Sequence, residues 1–475
     1  MNLTYQVKDK PGFGKTLIFA LQQVLAILAA TIAVPAIIGN GMSQSAALFG
    51  AGIGTLVYLC FTKFRSPVFL GSSFAFIGSM FAAFGGAASA AAGYAGLIIG
   101  AAFAGLVYVV IALVVKFAGV KWINKIMPAV VIGPTVSIIG LSLAVNAVGD
   151  LQVGKVGHYA EKITTLGGEV IDKSSQFISH SSVYICILCG LITLFTVVLC
   201  SVYGKKMGKL IPFIIGIVAG YIAATIFTLI GNATGNDLLK VINFDAFKDM
   251  TIFAVPDFTF LSAAEGLKQI DGSYIATVAV AYIPVAFVVF AEHIADHKNL
   301  SSVIGSDLLE NPGLHRTLLG DGVGSIAGAF FGGCPNTTYG ESVGCVAISG
   351  NASIVTIFTT AIMCLVISFF GPFVTFLSSI PNCVMGGVCI TLYGFIAVSG
   401  LKMIQKVDLN QNGNLFTVAV ILICGIGGLS ITFGKVTLTA IACALILGII
   451  TNLLVSKRTN NAPELEEKVE EKIEE

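Results

Sequence analysis

The 475-residue sequence is 56% hydrophobic and only 11% charged, with a formal net charge of +1 and a mean hydropathy of +0.93. Soluble domains carry about 25% charged residues, so this chain lacks the polar side chains needed to cover a surface in water. The composition therefore indicates an integral membrane protein whose main partner is the lipid bilayer. The nearly neutral charge gives no reason to expect a nucleic-acid partner.

Apolar stretches of helix-spanning length recur from Thr16 to Val455, which predicts an all-α polytopic membrane protein. We predict about fourteen transmembrane segments, several of them shortened or interrupted by Gly and Pro. Their approximate bounds are 16–34, 45–62, 68–86, 94–117, 122–145, 182–203, 209–232, 274–292, 317–333, 335–350, 353–379, 382–400, 414–432 and 434–455.

Basic residues fall between alternate pairs of these segments and therefore predict their orientation. The clusters are Lys8, Lys10 and Lys15; Lys63 and Arg65; Lys121 and Lys125; Lys205, Lys206 and Lys209; Lys298 and Arg316; Lys402 and Lys406; Lys457 and Arg458. With fourteen segments all of them lie on one side, so we expect a cell-membrane protein with both termini cytoplasmic. Residues 1–15 and the acidic tail 456–475 are then cytoplasmic, and the polar stretches 146–181 and 233–273 are external, water-exposed loops.

The third and tenth segments contain helix breakers. They are "FLGSSFAFIG", residues 69–78, and "GGCPNTTYGESVGCVAI", residues 332–348. Non-helical backbone is tolerated at membrane depth only where protein buries it or a wet cavity adjoins it. If the chain is two repeats of seven segments, the two breaks occupy equivalent positions. An odd number of segments per repeat makes the repeats inverted, and paired interrupted segments point to a transporter binding site.

Half-helices that end near the midplane leave backbone N–H groups without helical partners and carry partial positive charge at their N-termini. We expect the N–H of Phe74 to be such a donor, while Glu341 supplies an acceptor. Together they suit a planar, neutral heterocycle with an imide edge. Glu341 can also cap the helix that follows it, and Tyr339 can equally be a packing residue or a ligand contact.

The eighth segment ends in "AEHIADHK", where Glu292 and Asp296 share one helix face and His293 and His297 a neighbouring one. We interpret His297 and Lys298 as water-exposed residues at the interface. Glu292 follows sixteen residues without charge, so we place it within the membrane, where ionisable residues are costly and mark functional sites. Carboxyl groups in such surroundings can exchange protons near neutral pH, which makes Glu292, Asp296 and Glu341 candidates for proton coupling.

The remaining sequence patterns give no indication of catalysis or of metal binding. The glycine-rich "GDGVGSIAG" near position 320 follows no strand, and helix packing explains its small residues. The eleven cysteines lie singly in apolar runs, apart from Cys186 and Cys189, and we interpret them as packing residues. The N-terminus does not read as a removable signal peptide. With no nucleophile triad or metal-ligand constellation, we expect neither an enzyme nor a cofactor, the proton being the coupling ion.

Several stretches together resemble the nucleobase–cation symporter family, also called nucleobase–ascorbate transporters, and within it the bacterial uracil permeases. They are "AEHIADHKNLSSVIGSDLLENPGLHRTLLGDGVGSIAGAFFGGCPNTTYGESVG", "GSSFAFIG" and "PNCVMGGVCITLYGFIAVSGLKMI". The resemblance implies a core domain from segments 1–4 and 8–11 (16–117 and 274–379) and a gate domain from segments 5–7 and 12–14 (122–232 and 382–455). It also implies proton-coupled nucleobase uptake and a homodimer formed through the gate.

The resemblance further implies a set of site residues. Glu292 and Glu341 would accept hydrogen bonds from the nucleobase ring, and the backbone N–H groups of Phe74 and Gly340 would donate to its carbonyls. Ala30 would lie close to the ring, and Tyr393 on the gate side. These residues, with Tyr339, form the predicted substrate site.

Three positions differ from the family pattern. Asp296 stands where some uracil permeases have a proton-coupling histidine, and His297, one residue later, is a further candidate for proton coupling. Ser342 stands where asparagine is usual, and Gln22-Gln23 where Gln-His is common. From the resemblance we predict a proton-coupled uracil symporter that works by alternating access. The three departures leave a xanthine or purine permease as the alternative. An anion exchanger or channel of the same fold is less favoured, because two carboxylates would repel an anion.

Overall fold

The computed structural model describes residues 3–119, 127–166, 169–205, 207–248, 250–433 and 436–455. The predicted acidic tail and the basic residues Lys121, Lys125, Lys206, Lys457 and Arg458 lie outside these ranges. The described helices are α1 (Phe13–Ile38), α2 (Gln44–Phe61), α3 (Ile77–Gly85), α4 (Ala90–Ala118), α5 (Ala129–Ser142), α6 (Ala144–Asp150), α7 (Val183–Tyr203), α8 (Met207–Leu210), α9 (Pro212–Thr234), α10 (Thr259–Gly266), α11 (Gly272–Ile304), α12 (Leu314–Gly332), α13 (Gly340–Ser349), α14 (Ile354–Ile367), α15 (Gly371–Ser379), α16 (Asn382–Ile404), α17 (Asn412–Ile426) and α18 (Ala440–Val455). The strands are β1 (Leu70–Ser72), β2 (Gly157–Leu166), β3 (Glu169–Ser179), β4 (Asn336–Thr338), β5 (Ile431–Phe433) and β6 (Val436–Leu438).

Within the described residues, eight helical stretches are long and apolar enough to cross a membrane: α1, α2, α4, α5 with α6, α7, α9, α11 and α16. Four shorter apolar helices, at 74–85, 354–367, 412–426 and 440–455, have 10–17 residues each. The predicted class, a helical polytopic membrane protein, is confirmed. The number of crossings and their orientation stay predictions.

Small residues let helices approach closely, as expected where lipid supplies no hydrophobic driving force between them. A Cβ on Gly324 of α12 would come within 2.7 Å of the carbonyl oxygen of Gly54 on α2. One on Gly322 would come within 2.8 Å of the Tyr108 Cβ on α4. The interpretation of the glycine-rich motif near 320 as a packing face is thus confirmed.

The helices pack as two groups. In one, α2 and α4 pack against α12, α11 against α4, and α14 against both α1 and α2. In the other, α16 packs against α5 and α7, α9 against α7, and α17 against α5 and α18. The predicted core and gate boundaries remain predictions.

One polar segment has more structure than predicted. The stretch 146–181, expected to be a loop, contains the antiparallel hairpin of β2 and β3, in which Gly157 pairs with Ser179 and Leu166 with Glu169. The second polar stretch, 233–273, contains α10. The polarity of these segments predicted that they are exposed to water, but it did not predict the hairpin or the helix. Strands and short helices with mixed side chains have no strong hydrophobic period.

Candidate functional site

The two interrupted segments cross and pair with each other. Strand β1 runs antiparallel to β4, with Leu70 opposite Thr338 and Ser72 opposite Asn336, and every residue of both strands is buried. Two further backbone bonds extend the ladder, from Ser73 N to Pro335 O (2.9 Å) and from Tyr339 N to Phe69 O (3.3 Å). Unpaired backbone N–H and C=O groups are costly at membrane depth. Here the backbone groups of each broken segment form hydrogen bonds with those of the other. The sequence predicted equivalent positions for the two breaks, and the structure shows in addition that they pair with each other.

A helix begins immediately after each strand. A 3₁₀ turn at Phe74–Phe76 leads into α3 after β1, and α13 begins at Gly340 after β4. The residues before these starts, Ser73 and Tyr339, provide no side-chain cap. First-turn N–H groups and the positive ends of two helix dipoles therefore converge on the crossing, which suits acceptor atoms of a ligand.

Two carboxylates stand beside these helix starts. Glu341 lies in the first turn of α13, and its carboxylate accepts a hydrogen bond from its own backbone N–H. Glu292 lies on α11, which packs against β4 and α13, and its carboxyl group interacts electrostatically with those of Asp296 and Glu341. Both glutamates are partly exposed, whereas the strands beside them are buried. The structure thus brings Glu292 and Glu341 to one site.

Asp296 links α11 to the second break. Its Oδ2 accepts a hydrogen bond of 2.8 Å from Thr338 Oγ1 at the end of β4, and only 8% of the residue is exposed. Its Oδ1 lies 3.7 Å from the position that a Cβ on Gly340 would take. The Asp296 carboxyl group therefore lies directly beside the junction of β4 and α13. Glu341 is the residue that follows Gly340 at this junction.

Ser342 connects both breaks to α1. Its Oγ accepts hydrogen bonds from Gln23 Nε2 (2.5 Å) and from the backbone N of Phe69 (3.2 Å). Gln23 is 2% exposed, so this amide is committed to the protein interior. Sequence reasoning noted Ser342 and Gln23 separately as departures from the family pattern but did not predict that they bond each other.

The aromatic residues of the predicted site have different surroundings. Tyr339 donates a hydrogen bond of 2.8 Å from its hydroxyl to Ser72 O, and its ring fills the space beside Gly71. The ring of Phe74 meets that of Tyr393 edge to face, with centroids 5.8 Å apart, and so joins the crossing to α16. Ala30 is buried on α1.

A buried polar network lies behind the glutamates. His293 Nδ1 lies 2.7 Å from Asp321 Oδ2 and its Nε2 lies 3.0 Å from Thr317 Oγ1. His297 Nδ1 lies 2.8 Å from the carbonyl oxygen of His293, so this nitrogen must donate. Its Nε2 lies 2.7 Å from the Tyr58 hydroxyl. In the neutral ring Nε2 is therefore the acceptor.

The interpretation of His297 as water-exposed is wrong, because the residue is fully buried in this network, whereas Lys298 is exposed as expected. Hydropathy placed the helix end at the interface, but α11 continues to Ile304. Asp321 was missed altogether. A lone acid inside an apolar span was the signal that could have found it.

The chain is similar to known proteins over nearly its whole length. The uracil permease of Bacillus caldolyticus is 37% identical over 462 residues, which are 97% of this chain and 96% of that protein. The uracil permease of Bacillus subtilis (strain 168) is 36% identical over 453 residues, 94% of each chain. The transmembrane domain of a cyanobacterium bicarbonate transporter, BicA, superposes with a TM-score of 0.61 over 95% of this chain and 100% of that chain. Its 16% identity supports the fold alone.

Residues 14–435 match the Xan_ur_permease family, which is described as a permease family. The matched range includes both broken segments and every residue of the predicted site, and it ends before α18. The resemblance read from the motifs is confirmed, and the chain belongs to this permease family.

Proposed function

We propose that this protein is a proton-coupled symporter that imports uracil, or a closely related nucleobase, across the cytoplasmic membrane by alternating access. One observation carries the proposal: the carboxylates of Glu292 and Glu341 stand beside the starts of two helices, whose N-cap residues Ser73 and Tyr339 provide no side-chain cap, at a buried strand crossing. The uracil permeases that this chain resembles over nearly its whole length support the substrate class.

The complementarity of the site to uracil follows from donors and acceptors. The pyrimidine ring presents two carbonyl acceptors and two N–H donors on one plane. In this proposal the backbone N–H groups at Phe74 and Gly340 donate to the carbonyls, and Glu292 and Glu341 accept from the ring N–H groups. Ala30 and Tyr339 border the ring on the side of the crossing, and Tyr393 borders it on α16.

Proton coupling is assigned to Asp296, with Glu292 and His297 as further candidates. The Asp296 carboxylate accepts from Thr338 and lies beside Gly340. Gaining or losing a proton there changes the bonding at the junction that presents the ligand-binding amide. Proton binding and nucleobase binding are in this way linked through one backbone segment, as coupling between two sites requires.

Transport then takes place by movement of the helix group that carries both breaks against the group that contains α16. We assign the core to 16–117 and 274–379 and the gate to 122–232 and 382–455, with a homodimer formed through the gate. The contact between Phe74 and Tyr393 is one that this movement would break and remake.

The experiment that tests the function uses purified protein in two formats. Thermal unfolding with a panel of nucleobases should show the largest rise in midpoint with uracil, because a ligand that binds only the folded form stabilises it by mass action. In proteoliposomes, labelled uracil should accumulate when the outside is acidic and should stop accumulating when a protonophore is added. No stabilisation by any nucleobase would defeat the proposal.

Two alternative functions predict different experimental outcomes. A xanthine or purine carrier is suggested by Ser342 and the Gln22-Gln23 pair, and full competition by xanthine with weak competition by uracil would favour it. An anion exchanger or channel of the same fold is the less favoured alternative, because two carboxylates would repel an anion. Voltage-driven anion current without uracil-driven proton movement would favour that class.

A further inference from the structure

A cationic cavity lies between the ends of α2, α4 and α12. It has a volume of about 490 Å³ and is lined by Cys60, Phe61, Ala112, Leu113, Lys116, His315, Arg316 and Leu319. The volume falls within the ~300–1,000 Å³ that small-molecule sites occupy. None of the site residues described above lines it, so the permease site does not account for it.

The side chains of Lys116, His315 and Arg316 in this cavity are basic. Lys116 lies in the last turn of α4 and is exposed, and Arg316 lies in the first turn of α12. Arg316 Nη1 donates a hydrogen bond of 3.0 Å to the carbonyl oxygen of Phe61, which fixes the guanidinium at the cavity wall. Its other N–H groups remain to bind an anion. Among the described residues that line the cavity there is no carboxylate to neutralise these cations.

An apolar stripe on α4 leads to the same place. Leu106, Val110, Leu113 and Phe117 are 56%, 58%, 47% and 80% exposed. Their spacing of three or four residues puts them on one face of the helix. Because α4 is long and apolar enough to span a bilayer, this face can contact lipid acyl chains. The stripe reaches the cationic cavity, since Leu113 and Lys116 both line it.

We propose that this cavity binds the headgroup of an anionic phospholipid. The phosphate lies between Lys116 and Arg316, and the acyl chains run along the exposed stripe of α4. Basic pockets between helices at the membrane interface recognise such headgroups, and each cation contributes roughly a fivefold change in affinity. The continuous apolar stripe favours a lipid over a soluble phosphate, which would gain nothing from it.

Native mass spectrometry with added dioleoylphosphatidylglycerol tests the proposal by measuring occupancy of the first bound lipid. We expect phosphatidylglycerol to bind in preference to phosphatidylethanolamine. Lys116→Gln should lower its affinity about fivefold, and Lys116→Gln with Arg316→Gln about 25-fold. Lys402→Gln is the matched control, because Lys402 is also an exposed lysine in the last turn of an apolar helix, α16.

Arg316 also donates a hydrogen bond to Phe61 at the end of α2, so its loss could affect folding as well as lipid binding. A variant that keeps the positive charge distinguishes the two effects. Arg316→Lys should keep most of the lipid affinity, and Lys116→Gln alone leaves that bond in place. Equal phosphatidylglycerol affinity in the wild type and Lys116→Gln would overturn the proposal. So would the same loss in Lys402→Gln, or displacement of the lipid by millimolar inorganic phosphate, which would indicate a site for a soluble anion.

Discussion

The carboxyl groups at this site differ in their surroundings, and the proposed function gives them different roles. Glu341 is held at a helix start and Glu292 faces it from α11, so both can meet a ligand. Asp296 is nearly buried and already bonded to Thr338, so it is better placed to alter the junction than to contact a ligand. Two predictions follow from this division.

Glu341→Gln should weaken uracil binding by roughly 10- to 150-fold, because a hydrogen bond to a charged group contributes about 1.5–3 kcal/mol. Glu292→Gln should lose a similar amount. The measurement is the uracil concentration that gives half-maximal thermal stabilisation. Glu265→Gln is the control, since Glu265 is exposed on α10. Affinities in both site variants equal to that of the control would place the ligand elsewhere.

Asp296→Asn should impair coupling more than binding. The amide can still accept from Thr338, so uracil affinity should change by less than about tenfold, but no proton is gained or lost. Uptake driven by a proton gradient in proteoliposomes is therefore expected to fall to near background. Affinity and driven uptake are measured on the same preparation. If both fell in parallel, Asp296 would have a structural role only.

Paired elements, rather than single helices, hold the site in position. The short strands β1 and β4 satisfy each other's backbone, and α2 and α12 approach closely enough through glycines to bring the two breaks together. Tyr274 OH donates to Ala83 O at 2.8 Å, and Ser79 Oγ donates to Ala281 O at 2.7 Å, so α3 is fixed to α11. The geometry of the site therefore depends on packing at some distance from it.

Gly324→Val should destabilise the protein by about 1–3 kcal/mol, the usual cost of forcing extra carbon into a packed interface. The new side chain would meet the Gly54 carbonyl oxygen and the Leu70 Cδ1, 2.7 and 2.8 Å from its Cβ. A lower thermal unfolding midpoint in detergent is the expected result. Gly14→Ala, where a Cβ meets nothing within 4 Å, should leave the midpoint unchanged. Equal midpoints for both variants would contradict this packing argument.

The whole molecule has an orientation that its basic residues predict. Among the described residues, Lys63, Arg65, Lys116, Arg316 and Lys402 lie at or next to the ends of apolar helices. In membrane proteins the loops rich in Lys and Arg lie on the cytoplasmic side of the membrane. The hairpin of β2 and β3 would then be external, and the cationic cavity would face the cytoplasmic leaflet.

A reporter fused after Glu475 tests this orientation. A fluorescent protein that matures only in the cytoplasm should be bright, and a phosphatase that is active only outside should be silent. An epitope inserted between β2 and β3 should be reached by antibody in intact cells. An active phosphatase fusion would reverse the predicted orientation, and with it the leaflet assigned to the cationic cavity.

The sequence by itself determined the membrane class, the two interrupted segments and the acidic residues near them, because hydropathy, helix breakers and isolated charges are local properties. It also predicted that the breaks occupy equivalent places, from their order along the chain. It did not predict that Ser342 bonds Gln23, or that His297 lies in a buried network with Tyr58.

Only the tertiary structure decided which groups meet. Positions such as Leu70 and Thr338, or Asp296 and Thr338, come together through the packing of many helices, and no local pattern encodes that pairing. Hydropathy also averages over a helix, so it cannot distinguish a face toward lipid from a face toward protein. For that reason the burial of His297 and Asp321, and the exposure of the α4 stripe, emerged from the folded chain alone.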